Sequence, residues 1–218
     1  MRVGQIQVVP RKNCVLSSDG AFCFSGRNSG KEQDMIIAIS GASGSGKSTL
    51  AASLAERFGK DGQRVLTVSS DKYFKKDLPK MISPSDGKEY PDWNHPDSFD
   101  ADAMLRDLTA ARASGDWDVL LFEGVTIFCH PALRDLADVK IWVNASIETR
   151  IARRIARNVV TKGQTVEFIA DYYLRCARYR ERQYSIPSRV YADFTVENEY
   201  AFEPEEVYRK IIERCMSK

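Results

Sequence analysis

The stretch from Met35 to Phe58 constrains the fold more than any other part of this 218-residue chain. Met35–Ser40 is a nearly continuous apolar run, as expected of a strand buried on both faces of a sheet. It leads directly into Gly41-Ala42-Ser43-Gly44-Ser45-Gly46-Lys47-Ser48-Thr49. A helical pattern then spans Lys47 to Phe58, with Gly59 as its expected stop. Gly41 to Ser48 fits G-x-x-x-x-G-K-[ST], the P-loop or Walker A pattern, in its proper strand–loop–helix setting. The glycines let the backbone turn tightly enough for several N–H groups to point inward, and the helix N-terminus adds partial positive charge. Such a loop is a cradle for the phosphates of a nucleotide. Lys47 is placed to reach the β- and γ-phosphates of ATP, and the Ser48 hydroxyl to hold Mg²⁺. The alternative, a Gly/Ser loop without a ligand, sits poorly with that setting. Gly26-Arg27-Asn28-Ser29-Gly30-Lys31 looks similar but is one residue short and is followed by Glu32, so it reads as linker.

Beyond the loop, strand and helix patterns alternate, which is the signature of an α/β parallel sheet. Strands are expected at Arg64–Ser69, Val119–Phe122, Val139–Val143 and Ala192–Val196. Helices are expected at Ala101–Ala113, from about Ile147 to a break at Lys162-Gly163, over Thr165–Gln183, and from Pro204, whose missing N–H costs nothing in a first turn. Residues 1–34 read differently. Ile6–Val9 and Ala21–Phe24 are short β-prone runs around the turn-like Ser17-Ser18-Asp19-Gly20, which suggests a β-hairpin followed by the polar linker Gly26–Asp34. The expected organisation is therefore an N-terminal extension over 1–34 and one domain over 35–218.

Composition excludes several classes of function. A formal net charge of +2 gives the whole chain little pull on nucleic acid or an anionic membrane. Arg150–Arg189 nevertheless holds ten Lys or Arg against three Asp or Glu, either a solvated helix face or a field suited to polyphosphate. The five cysteines are scattered and form no CxxC pair, which suits reduced thiols in a cytoplasmic protein better than disulfides or zinc. No apolar run approaches the length of a membrane span.

Further motifs carry a family resemblance. They are Ser69-Ser70-Asp71-Lys72-Tyr73-Phe74, Trp93-Asn94-His95-Pro96-Asp97-Ser98-Phe99-Asp100 and Asp118–Gly124 with Glu123. Thr149-Arg150, Arg153-Arg154, Arg157 and Tyr191-Ala192-Asp193 follow. In this order and spacing the chain resembles the uridine kinase branch of P-loop kinases, with nicotinamide riboside kinases and phosphoribulokinases as relatives. The resemblance implies a three-layer sandwich whose five parallel strands lie in the order 2-3-1-4-5, with a lid over about 150–164. It also implies transfer of the γ-phosphate of ATP, with Mg²⁺, onto the hydroxyl of a small-molecule acceptor.

Roles follow residue by residue. Asp71 lies just past a strand's carboxyl end, where a carboxylate can either cap a helix or take the proton of an attacking hydroxyl. The resemblance implies the second. Glu123, an acid at the end of an apolar strand, needs a cation or donor. The resemblance implies the Mg²⁺ shell, and a structural hydrogen bond to the phosphate loop is the alternative. Arg153, Arg154 and Arg157 recur on one helix face, from which a closing lid could bring them to the phosphates. One of the three is expected to be only a solvated surface residue. His95 is expected to order its loop. Tyr73, Phe74, Trp93 and Phe99 either wall the acceptor pocket or fill core. By resemblance Asp71, Tyr73, Asn94 and Arg154 face the acceptor.

The departures from the pattern lie on the acceptor side. Uridine kinases carry a base-reading β-hairpin between the helix and the third strand, and here only Ser114–Asp118 joins the two. Asn94 stands where the family has a ribose-gripping Asp, Asn158 follows Arg157 where an Asp is usual, Gln164 replaces an Arg, and Tyr172 replaces a Gln. The expected acceptor is nucleoside- or riboside-like but not uridine, with nicotinamide riboside, a sugar or a sugar phosphate as alternatives. A nucleotide-dependent switch without an acceptor would have no use for Asp71, and a nucleic-acid binder would need a motif that is absent.

Overall fold

The computed structural model describes residues 14–16, 22–24 and 35–216. The elements in chain order are β1 (Cys14–Leu16), β2 (Phe22–Phe24), β3 (Met35–Ser40), α1 (Lys47–Lys60) and β4 (Val65–Ser69). Next come β5 (Lys80–Ile82), β6 (Glu89–Pro91), α2 (Ala101–Ser114), β7 (Val119–Gly124), α3 (Pro131–Leu136) and β8 (Val139–Asn144). The chain continues through α4 (Ile147–Lys162), α5 (Val166–Tyr172), α6 (Arg178–Arg180), β9 (Phe194–Glu197) and α7 (Pro204–Met216).

β4, β7, β3, β8 and β9 form one five-stranded sheet in that order, and every pairing is parallel. Numbered among themselves by chain order, these strands read 2-3-1-4-5, as the resemblance implies. The strand ahead of the phosphate loop therefore occupies the centre of the sheet. All six residues of β3 are buried, and their alternation divides the core. Met35, Ile37 and Ile39 join Leu50, Leu54, Phe58, Val207 and Ile211 on the α1/α7 face. Ile36 and Ala38 join Met104, Leu108, Leu120, Phe122 and Phe128 on the other. Each of the larger side chains contributes about 1.5–3 kcal/mol of burial, which holds the ends of the strands still beneath the loops that follow them.

Several boundaries differ from expectation. α1 passes Gly59 and ends at Lys60, because the left-handed turn falls on Gly62 (φ 78°) instead. β7 extends two residues beyond Phe122 and takes in Glu123, and β9 starts at Phe194 rather than Ala192. The helix expected over Thr165–Gln183 is broken by two π-helical turns, Tyr173–Ala177 and Glu181–Ser185. The antiparallel hairpin β5–β6 and the short α3 were not expected at all. For β5–β6 the signal was present: Asp86-Gly87 lies between Met81-Ile82 and Tyr90, and Asx-Gly is a strong turn dipeptide.

In the extension, β1 pairs with β2 antiparallel, Cys14 opposite Phe24. Ile6–Val9 lies outside the described residues. The five-stranded sheet draws all its strands from Met35 onward. We propose on that basis that residues 1–34 are dispensable for the 35–218 domain. A chain starting at Met35 is expected to stay soluble and to unfold cooperatively on heating, measured by circular dichroism. An insoluble product would mean that the extension joins the sheet or an interface.

Candidate active site

The phosphate loop, Glu123 and the Asp71 turn lie at the carboxyl ends of three adjacent strands, the central β3, its neighbour β7 and the edge strand β4, where open α/β sheets bind ligands. The β3–β7–β4 register places Glu123 between Ile39 and Ser69. Asp71 follows Ser69 by two residues, in a 3₁₀ turn that starts with Ser69 Oγ accepting from the Asp71 N–H (3.3 Å). Close approach keeps this turn against the strand. A Cβ at Gly124 would lie 2.3 Å from Ser70 Oγ, so a larger residue there would push the Asp71 turn away.

Ser48 Oγ donates to Glu123 Oε1 at 3.1 Å, joining the loop to the buried acid at the end of β7. This is the hydrogen bond that the alternative reading of Glu123 requires. The same two oxygens fit a hard divalent cation, and so few protein ligands suit Mg²⁺, which keeps several waters and binds substrate phosphates. Lys47 is buried, and its ammonium hydrogen-bonds the Ala42 carbonyl at 3.4 Å. Burial lowers its pKa, while the charges of Glu123 and Asp71 work in the opposite direction. Arg157 and Glu181 also act on this ammonium. Ser48 and Glu123 are thereby joined, and Lys47 lies within reach of the charges of Glu123 and Asp71. The Asp71 side chain is exposed.

Gly46 is held by a residue that sequence reasoning missed. Asn198 Nδ2 donates to the Ser45 carbonyl at 2.8 Å, and a Cβ on Gly46 (φ 100°) would lie 2.1 Å from that nitrogen. Asn198 follows β9 immediately, and no motif in the sequence marked it.

Of the four arginines of α4, the three expected at the phosphates take different places. Arg153 donates to the carbonyls of Asn198 (2.8 Å) and Glu199 (3.1 Å) and so braces the loop after β9. Arg154 lies over the Tyr172 ring at 5.5 Å, with burial lowering its pKa, and its buried Nε has no hydrogen-bond partner. Arg157 is exposed and donates to the Asn158 side chain at 3.0 Å. Asn158 in turn donates to Gln164 (2.8 Å), so two of the four substituted positions bond to each other.

On the acceptor side, Asn94 is buried and its N–H is held by Asp92 Oδ1 at 3.1 Å. Asp92 is fully buried and paired with Arg180. The Tyr172 hydroxyl accepts from Trp93 N (3.2 Å) and donates to the Pro91 carbonyl (3.1 Å). These bonds, with Arg175–Asp86, pin the β5–β6 hairpin to the helix that follows α4. Tyr73 donates its hydroxyl to Asp107 on α2 at 2.7 Å, and burial together with that carboxylate pushes its pKa up to about 12. Phe99 is core, whereas Trp93 is exposed and packs edge-on against Phe74 at 5.1 Å between centroids. His95 orders its loop, as expected. Its Nδ1 accepts from the Asp97 N–H (3.1 Å), which leaves the Nε2 proton for the Tyr184 hydroxyl (3.1 Å).

No helix among the described residues is long and apolar enough to cross a membrane. The sequence profile of the phosphoribulokinase/uridine kinase family matches residues 36–113 and 98–200. A uridine kinase of Leuconostoc citreum is 30% identical over 184 residues, 74% of this chain and 86% of its own length. One of Chlamydia pneumoniae is 31% identical over 189 residues, 76% and 82% of the two chains. The solved phosphoribulokinase of Rhodobacter spheroides superposes with a TM-score of 0.56 at 18% identity, covering 76% of this chain and 70% of its own, which bears on the fold alone. With a phosphate loop, an acid at the end of β7 and a carboxylate past β4 on a 2-3-1-4-5 sheet, the chain belongs to the phosphoribulokinase/uridine kinase family and is an ATP-dependent phosphotransferase acting on a hydroxyl.

Proposed function

We propose that the protein phosphorylates a nucleoside- or riboside-like acceptor other than uridine, with Asp71 as general base. The observation that carries the chemistry is the exposed Asp71 carboxylate beside the Lys47–Glu123–Ser48 cluster. The inward N–H groups of Gly41–Thr49 and the Lys47 ammonium would hold the β- and γ-phosphates. Ser48 and Glu123 would hold Mg²⁺, which neutralises charge on the phosphates when bound. Asp71 would accept the proton of the attacking hydroxyl. Arg154 and Arg157 would meet the charge that builds on the transferred group.

Two observations support an acceptor other than uridine. The α2–β7 connection is only Gly115–Asp118, with no hairpin there, and Asn94 fills the position of the ribose-gripping acid. Turnover of uridine at about 1–100 s⁻¹, the range of dedicated kinases, would overturn this reading and would mean that some other element replaces the hairpin. Asn94→Asp sharpens the test. A carboxylate accepts two hydroxyl hydrogen bonds, whereas an amide accepts more weakly and turns its NH₂ to the sugar. A charge-assisted bond exceeds a neutral one by roughly 1 kcal/mol, so kcat/KM for a riboside is expected to rise about fivefold. A second reading, a phosphorylated or acidic sugar, is favoured by the unpartnered Nε of Arg154. For that acceptor the same substitution is expected to lower kcat/KM by repulsion.

A further inference from the structure

We propose that Glu181 is a positioning residue for the phosphate loop, acting through Arg150. Glu181 begins the second π-helical turn after the lid segment, far in sequence from Gly41–Thr49, and belongs to none of the motifs above. Its side chain is 2% exposed, that of Arg150 is 5% exposed, and Arg150 Nη1 donates to Glu181 Oε1 at 2.9 Å. The same nitrogen lies 3.4 Å from the Ser43 carbonyl inside the phosphate loop, while Arg150 Nε donates to the Ala145 carbonyl at 3.2 Å. The backbones touch as well, since a Cβ on Gly44 would lie 2.5 Å from the Arg150 carbonyl oxygen.

The consequence follows from peptide geometry. A trans peptide is rigid and planar, so its C=O and N–H point in opposite directions. Holding the Ser43 carbonyl against Arg150 turns the Gly44 N–H the other way, toward the phosphates. The guanidinium can hold that carbonyl only while it is itself fixed, and a buried cation needs a buried counter-charge to stay there. Glu181 supplies that charge. π-helical turns recur at functional sites, and this one starts at the carboxylate. The Lys47 and Arg154 cations also lie in the field of Glu181.

The inference rests on the nucleotide reading of the loop and is independent of the acceptor, so ADP serves as the probe. ADP with Mg²⁺ is titrated calorimetrically into the full-length protein, and the melting temperature is recorded for each variant. Glu181→Gln is expected to weaken ADP about tenfold, the size of one well-placed contact. It leaves Arg150 as an unpaired buried charge, so it is also expected to melt earlier. Arg150→Met combined with Glu181→Leu removes both charges and leaves no orphan ion. That double variant is expected to recover melting temperature while staying about tenfold weak for ADP. A purely structural pair predicts instead that a folded double variant binds ADP within about twofold of the wild type, and that result would overturn the proposal. A wild-type protein that does not bind ADP would overturn the nucleotide reading itself, and the inference with it.

Discussion

Replacing Lys47 by alanine is expected to lower turnover by about 10³-fold or more, on the scale by which phosphoryl transfer depends on a charge-neutralising cation. Lys47 is the only cationic side chain in Gly41–Thr49. It is buried, with the Glu123 and Asp71 carboxylates acting on its ammonium. Without the ammonium, a γ-phosphate bound on the loop would meet those two acids with only the remaining cations of the site to offset them. ADP affinity is expected to fall with turnover, because the same charge acts on the ground state and on the transition state. Unchanged affinity and unchanged turnover in this variant would remove the basis for placing the nucleotide on the loop.

Asp71→Asn is expected to separate binding from chemistry. The Asp71 side chain is exposed on a short 3₁₀ turn, and the turn's own hydrogen bond uses its backbone N–H rather than its carboxylate. The amide is isosteric, so folding and ADP affinity should hardly change. What disappears is the proposed acceptor of the attacking hydroxyl's proton, and kcat is expected to drop about 10²-fold or more. A kcat near the wild-type value would reduce Asp71 to a loop residue.

The nucleotide half of the site was legible in the sequence because its chemistry is local. A glycine-rich turn, a lysine and a hydroxyl must follow one another on a strand–loop–helix, and so they leave a contiguous pattern. The order of the sheet was legible only through resemblance, since nothing in β3 or β8 alone says which strands they flank. The helix after the lid was harder. Thr165–Gln183 carries a helical pattern throughout, but the π turns at Tyr173–Ala177 and Glu181–Ser185 change which residues face inward. The buried pair Arg150–Glu181 and the partly buried pair Asp92–Arg180 span 31 and 88 residues. An arginine-rich stretch reads as a solvated face until a carboxylate from elsewhere is known to meet it. Asn198 was missed for the same reason, because its contact with Ser45 spans 153 residues. Arg153 shows the converse. Its spacing with Arg154 and Arg157 suggested a shared role at the phosphates, yet its guanidinium is taken up by two backbone carbonyls.

The most direct measurement is acceptor-dependent ADP release from ATP–Mg²⁺ across nucleosides, ribosides, sugars and sugar phosphates, with mass spectrometry of each acceptor afterwards. The account predicts that a nucleoside or riboside other than uridine stimulates ADP release and gains one phosphoryl group. It also predicts that both signals collapse in Asp71→Asn while ADP still binds. ADP release that no acceptor stimulates, with every acceptor recovered unmodified, would contradict it.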